Sequence, residues 1–221
     1  MFLNQAEKQR INQAIKDVES RIAGELVTVI TRASDDYLYI PLLWAATIAL
    51  LVPGILYYLA VGFGWEQVAC PDWGWRIPCD FSDLYIFQLG LFMVLALLFR
   101  WQTVKMFLVP HSVKQRRCNR HAYVQFYEQG LHETDARNGI LIFVSIAEHY
   151  VEILADQEIS QKIDHSRWQE IVDNFIVEIK VGKVVDGFIG TINACGDCLA
   201  EHFPDQINDA NQLSDHLIEI D

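Results

Sequence analysis

Charge is missing from one long stretch of this 221-residue chain. No Asp, Glu, Lys or Arg occurs from Tyr37 to Trp65, and a second uncharged run covers Leu84 to Phe99. An ordinary core helix keeps a polar face, so the first run argues against one. Catalytic glycine patterns are missing too. There is no P-loop, no G-x-G-x-x-G after a strand, and no Gly-x-Ser-x-Gly around Ser145. Basic residues are scarce: 17 Lys and Arg stand against 29 Asp and Glu, for a formal net charge of −12. Residues 122–221 carry 19 acidic and 5 basic side chains, a net −14. That balance argues against a nucleic-acid partner, which requires a basic footprint.

What fills the uncharged stretch is a hairpin over 37–110. A helix crossing a hydrocarbon core of ~30 Å needs about 20 mostly apolar residues, and Ile40 to Val61 meets that length. Pro53 falls inside it, which membrane helices tolerate. Tyr37, Tyr39, Tyr57, Tyr58 and Trp65 fall near its ends, where aromatic rings favour the interface. The second run is shorter before Arg100. It spans if Arg100 and Lys105 reach toward headgroups while Trp101, Met106, Phe107 and Leu108 stay at the boundary. Between the runs, Val61 to Asp83 holds one basic residue, Arg76. The outer flanks hold Lys8, Arg10, Lys16, Arg21 and Arg32 on one side and Arg100, Lys105, Lys114, Arg116, Arg117 and Arg120 on the other. The positive-inside rule then predicts two spans, cytoplasmic termini and a short external loop. Met1 to Gln5 leads into a polar helix without the pattern of a cleavable signal. The basic cluster Lys114–Arg120 follows from topology, with anionic headgroups as its partner otherwise.

The five cysteines divide by compartment. Cys70 and Cys79 share the external loop, where a disulfide is permitted in an oxidising compartment. Cys195-Gly196-Asp197-Cys198 is a CxxC without a second pair or a histidine ligand, and both thiols fall on an apolar helix face. Packed core thiols are the favoured reading over redox or zinc chemistry.

The soluble halves flank the hairpin. Asn4 with Glu7 predicts a capped helix whose Ile11, Ala14, Ile15, Val18 and Ile22 share a face. Gly24 stops it, and Glu25–Thr31 reads as a buried strand. After the hairpin come a helix over Val113–Leu131 and a strongly apolar strand, Ile140–Ile146. Its antiparallel partner is Tyr150–Ala155, followed by a short helix near Ile159–Ile163. Ser166 is the expected cap of a helix striped by Trp168, Ile171, Val172, Phe175, Ile176 and Ile179, which Gly182 ends. A last helix carries Val185, Phe188, Ile189, Ile192, Cys195, Leu199 and Phe203, and Pro204 stops it. Leu213, Leu217, Ile218 and Ile220 are placed to dock as a short strand or turn. Neither half closes a core alone. The expected architecture is an α/β domain, a three-layer α/β/α sandwich with a small central sheet, split by a two-helix transmembrane hairpin. Its parts are residues 1–36, the hairpin 37–110, residues 111–204, and an acidic tail 205–221.

The helix before Glu25-Leu26-Val27-Thr28-Val29-Ile30, the segment Asn138 to Ser145, and Tyr150 to Asp156 together resemble the TPM domain family. Cys195-Gly196 and Leu199 to Pro204 look like the end of the same group. The likeness is to bacterial membrane members with an inserted hairpin. It implies a bacterial inner-membrane location and an α/β/α sandwich. Family members include a thylakoid-lumen protein linked to photosystem repair and a nematode receptor modulator. Acid phosphatase activity and calcium binding have been attached to some of them. The family's loop usually reads Asp-Asn-Gly before the strand, whereas this chain has Arg137-Asn138-Gly139.

Residues that would serve a calcium ion lie at the strand ends: Asp35 and Asp36 after the first strand, Asp135 and Asn138 before the second, Asp156 after the third. Asp and Asn also end strands and cap turns generally. Asp135 with Asp156 is the pair that antiparallel strands would bring together. His132, Glu133 and His149 match no ligand spacing. The functional expectation is an anchored, non-enzymatic module that binds the bilayer and another membrane protein. The alternative is a calcium-dependent acid phosphatase.

Overall fold

The computed structural model describes residues 3–62, 81–134, 137–204 and 216–220. The expected Cys70–Cys79 disulfide, Asp135 and Leu213 therefore lie outside the described residues. The chain folds as two compact units, residues 1–35 with 112–221, and residues 36–111.

In the first unit, helix α1 (Gln5–Glu19) starts on the capping box that Asn4 and Glu7 predict. The Glu7 amide donates to Asn4 Oδ1 at 2.8 Å, and the Asn4 amide to Glu7 Oε2 at 2.7 Å. Two of the helix's orphan donors are thus satisfied reciprocally. Strand β1 (Glu25–Thr31) follows. Helix α5 (His111–Glu128), strands β2 (Gly139–Ser145) and β3 (Tyr150–Ala155), and helices α6 (Gln157–Lys162), α7 (His165–Lys180) and α8 (Val184–Ala200) come after the second unit. Strand β4 (Ile218–Ile220) completes one four-stranded sheet in the order β3-β2-β1-β4. The carboxyl-terminal residues are thus more than a tail, because β4 pairs parallel to β1.

Strand β1 runs parallel to β2, Glu25 opposite Gly139 through Thr31 opposite Ser145. Strand β3 runs antiparallel to β2. Side chains alternate across the sheet with a period of two. Leu26, Ile30, Ile140, Ile142, Val144 and Val151 face a core built with α1, α7 and α8. Val27, Val29, Leu141 and Phe143 face a second core under Cys118, Ala122 and Phe126 of α5. Both faces are covered, which is why β1 and β2 are apolar throughout. Helix α8 touches α1 through Gly196, where an added Cβ would lie 2.6 Å from Val18 Cγ1. Asp164, not Ser166, caps α7, accepting from the Ser166 amide at 3.1 Å. Asp and Ser are equally good caps, and Asp164 stands two residues before Ser166.

In the second unit, α2 (Tyr39–Gly62) pairs with α3 (Phe81–Leu98), and α4 (Gln102–Leu108) follows. The window Tyr39–Leu56 is long and apolar enough to cross a membrane. The apolar stretch of α3, Tyr85–Leu98, is shorter than a span. Among the described residues one helix, α2, passes as a span by length and composition, and the second expected span is not shown. The second run does not continue smoothly past Arg100 either. Trp101 is extended and caps α4 without a side-chain bond.

Candidate functional site

A parallel β1–β2 pair flanked by antiparallel β3 gives the sheet two chemically different ends. At one end lie the start of β1, the start of β2 and the end of β3. Asn138 Nδ2 donates to the Ala23 carbonyl at 2.8 Å, tying the loop before β2 to the loop before β1. The Asp156 amide donates to the Gly139 carbonyl at 2.9 Å. Asp156 Oδ1 accepts from the Gln157 amide at 2.7 Å and caps α6. Asp156 Oδ2 is buried without a hydrogen-bond partner. Gly139 is required by close approach, since a Cβ there would meet the Leu131 carbonyl oxygen at 2.8 Å. Arg137 beside it adopts a left-handed backbone, φ 51°.

The opposite end holds Asp35. Parallel pairing of β1 with β2 carries Asp35, beyond Thr31, to the far end from Asn138 and Asp156. There its Oδ2 meets Arg117 Nε at 3.1 Å. Of the expected set Asp35, Asp135, Asn138 and Asp156, the three described residues thus do not assemble around one point. Asn138 and Asp156 share an end, and Asp35 does not join them. Calcium takes six to eight oxygens, and of the expected set only Asn138 and Asp156 lie at this end among the described residues. Among the described residues no group of three or more His, Cys, Asp and Glu is placed to hold a metal ion. His132 lies with Nε2 3.5 Å from Glu133 and its ring edge-on to Tyr127 at 4.9 Å. His149, φ 49°, makes the turn into β3.

The Asp35 end carries a polar network that sequence reasoning missed. Glu148 Oε1 accepts from the Ser34 amide at 3.2 Å, and its Oε2 accepts from the Ser145 hydroxyl. Ser34 Oγ donates to Ser145 Oγ at 3.1 Å. The Cys118 thiol of α5 sits against Ser34 and Ser145, and burial pushes it up to about 12. Beside it, Glu152 accepts from Asn119 Nδ2 at 2.6 Å and from the Tyr150 hydroxyl at 3.0 Å. Burial raises the Glu152 carboxyl above its usual range, opposed by those two bonds. Burial and Glu152 both raise Tyr150. His121, edge-on to Phe143 at 5.3 Å, is lowered by burial against the pull of Glu128 and Glu148.

Chemically this end is a sealed brace. Ser145 and Cys118 are fully buried. A serine hydroxyl bonded to a carboxylate resembles half of a nucleophile pair, yet Ser145 reaches no surface and no base activates an exposed atom. The network ties β1's exit, the β2–β3 turn and α5 together. The one local signal was Ser145 three residues before Glu148. Ser34 lies 111 and 114 positions from those two residues. The CxxC thiols are also structural. Cys195 and Cys198 are free and buried on α8, and burial raises both above the usual thiol range.

The model of the TPM domain family matches residues 102–198. Over that stretch the chain is similar to the TPM domain. That match runs from α4 to the end of the CxxC and includes β2, β3, α5, α6 and α7. The rest of the sheet, β1 and β4, lies outside the match. A solved structure of similar fold is the BA42 protein from the psychrophilic bacteria Bizionia argentinensis sp. nov., determined by NMR. It is 16% identical, the alignment covers 99% of this chain and 96% of that one, and the TM-score is 0.57. At that identity the likeness is one of fold alone. None of the curated proteins matches the chain. Neither the TPM match nor the fold likeness carries an activity, a metal or a partner.

Proposed function

We propose that this chain is a membrane-anchored TPM-like protein whose soluble domain serves as a binding module for another membrane protein or complex. The observation that carries this reading is the exposure of α2. Its Tyr39–Leu56 window is uncharged, yet only 28% of it is buried. A core helix of a soluble protein would be mostly buried. Leu50, 68% exposed, and Leu56, 57% exposed, present apolar surface that lipid would cover. On this reading α3 spans as well, with the headgroup region covering its ends. Both termini and the TPM domain are then cytoplasmic at a bacterial inner membrane, because basic residues crowd the two outer flanks.

Binding rather than catalysis is supported by the sealed polar network and by an acidic surface suited to a basic partner face. A topology reporter fused within 66–80 and, separately, at the carboxyl terminus tests the anchoring. The loop fusion should report the outside and the terminal fusion the cytoplasm. Two cytoplasmic signals would overturn two-span anchoring.

The competing reading, a calcium-dependent acid phosphatase, has one observation in its favour: the buried, unpartnered Asp156 Oδ2. Hydrolysis of p-nitrophenyl phosphate by the detergent-purified full chain, with and without calcium, tests it. Calcium-dependent turnover lost in Asp156→Asn would establish that reading and displace the first.

A further inference from the structure

We infer that α3 carries a self-association site, in which Gln88 hydrogen-bonds to Gln88 of a second copy of this chain. The inference rests on the membrane anchoring proposed above and goes beyond it by naming the partner surface. Gln88 stands seven residues after the first residue of α3 and ten before the last. At 1.5 Å per residue it lies about 10 Å and about 15 Å from the two helix ends. It falls inside the apolar stretch Tyr85–Leu98, three residues or about 4.5 Å from its start.

The side chain lines an open groove of about 230 Å³ between α2 and α3. Tyr85, Leu89 and Phe92 share its face of α3, and Ala46, Ala49 and Leu50 form the opposite wall. That wall offers no hydrogen-bonding side chain. The neighbouring Thr47 hydroxyl already donates to the Leu43 carbonyl at 2.8 Å. Gln88 has no hydrogen-bond partner among the described residues. An unpaired carboxamide in hydrocarbon is costly, because lipid tails neither donate nor accept.

The chemistry of the amide selects the occupant. A carboxamide has two donors and one acceptor oxygen, so it is its own complement. Two copies related by a two-fold axis can each donate an N–H to the other's carbonyl, which is the self-complementary arrangement of an isologous dimer. A carboxylate or ammonium would match only half of the amide and add a charge to the core of the bilayer. The small side chains of Ala46 and Ala49 let a second helix approach closely, as interfaces between membrane helices require.

The test uses the full chain with donor and acceptor fluorescent proteins fused at the carboxyl terminus. The protein is reconstituted into phosphatidylcholine–phosphatidylglycerol vesicles, and each sample is floated on a density gradient before energy transfer is measured. Wild type should float and transfer above the random-proximity baseline. Gln88→Leu should float equally and weaken dimer affinity roughly 3- to 30-fold. Gln88→Asn, which keeps the carboxamide, should retain most of the transfer and shows that Gln88→Leu does not act through misfolding. Equal transfer in wild type and Gln88→Leu would overturn the inference while leaving anchoring intact. Wild-type transfer at the random baseline would assign the groove to lipid or a different helix and overturn it too. Protein that fails to float would overturn both the anchoring and the inference.

Discussion

Two glycines of α8 should respond in opposite directions to the same methyl group. Around Gly190 nothing lies within 4 Å of an added Cβ. Gly190→Ala therefore collects the helix-propensity gain of about 0.8–1.0 kcal/mol and little else. At Gly196 the same Cβ would sit 2.6 Å and 2.8 Å from Cγ1 and Cγ2 of Val18, and 3.3 Å from its Cβ. Val18 is fully buried in the last turn of α1, and a β-branched residue in a helix has one strongly preferred rotamer. It cannot swing aside, so α1 and α8 must separate. Overpacking of this kind costs about 1–3 kcal/mol. Set against the propensity gain, Gly196→Ala should lose from about 0 to about 2 kcal/mol. The two variants should differ by about 1–3 kcal/mol, which for a chain of this size separates their Tm values by roughly 2–12 °C. Thermal unfolding of the detergent-solubilised protein by circular dichroism reads the difference. Val18→Ala combined with Gly196→Ala should recover stability relative to the sum of the singles, with a coupling of about 0.5–3 kcal/mol. A Gly196→Ala protein as stable as Gly190→Ala would refute the close packing of α1 on α8. With it would go the claim that the segments before and after the apolar unit share one core.

Other residues give equally direct tests. Arg137 holds a left-handed backbone that costs a non-glycine residue about 1–2 kcal/mol, and Asn tolerates it better. Arg137→Asn should raise the Tm, and Arg137→Asp restores the family's Asp-Asn-Gly; a calcium-induced Tm shift in that variant alone would show that the arginine suppresses an ion site. Burial raises the folded-state pKa of Glu152, so that group favours the fold below its unfolded value and opposes it increasingly as pH rises through the folded value. Glu152→Gln should flatten this fall in a series of Tm measurements from pH 4 to pH 8. His121 works the other way: burial lowers its folded pKa, so its contribution is present above about 6.5 and is lost as pH falls below that. His121→Phe should reduce the loss of stability between pH 7 and pH 5. Cys195 and Cys198 should react slowly with a maleimide until denaturant is added, because both are buried with raised thiol pKa values. Rapid native labelling would revive the redox reading.

Local chemistry was legible from residue order, and long-range geometry was not. The Asn4–Glu7 box, the bounds of β1, the antiparallel β2–β3 pair and the stop at Gly182 follow from short patterns, and each is present. The apolar continuity of β1 and β2 pointed to helices on both faces, as found. Strand direction was the failure that mattered for the site. Residue order places Asp35 at a strand end without saying which end meets it across the sheet. The parallel pairing of β1 with β2 decides that, and it sends Asp35 away from Asp156. The network of Ser34, Ser145 and Glu148 was hidden for a related reason. Its key bonds join residues 111 and 114 positions apart, a separation no local pattern reports. β4 is three residues long, too short for alternation to identify, and it becomes a strand because β1 has a free edge to offer.

Anchoring itself is tested most directly by alkaline carbonate extraction of membranes from cells expressing the full chain. Carbonate strips peripheral proteins and leaves spanning helices in the bilayer. An uncharged α2 embedded in lipid predicts that the protein stays in the membrane pellet at high pH and leaves it only with detergent. Release into the carbonate supernatant would contradict membrane anchoring and turn α2 and α3 into a surface for some other protein to cover.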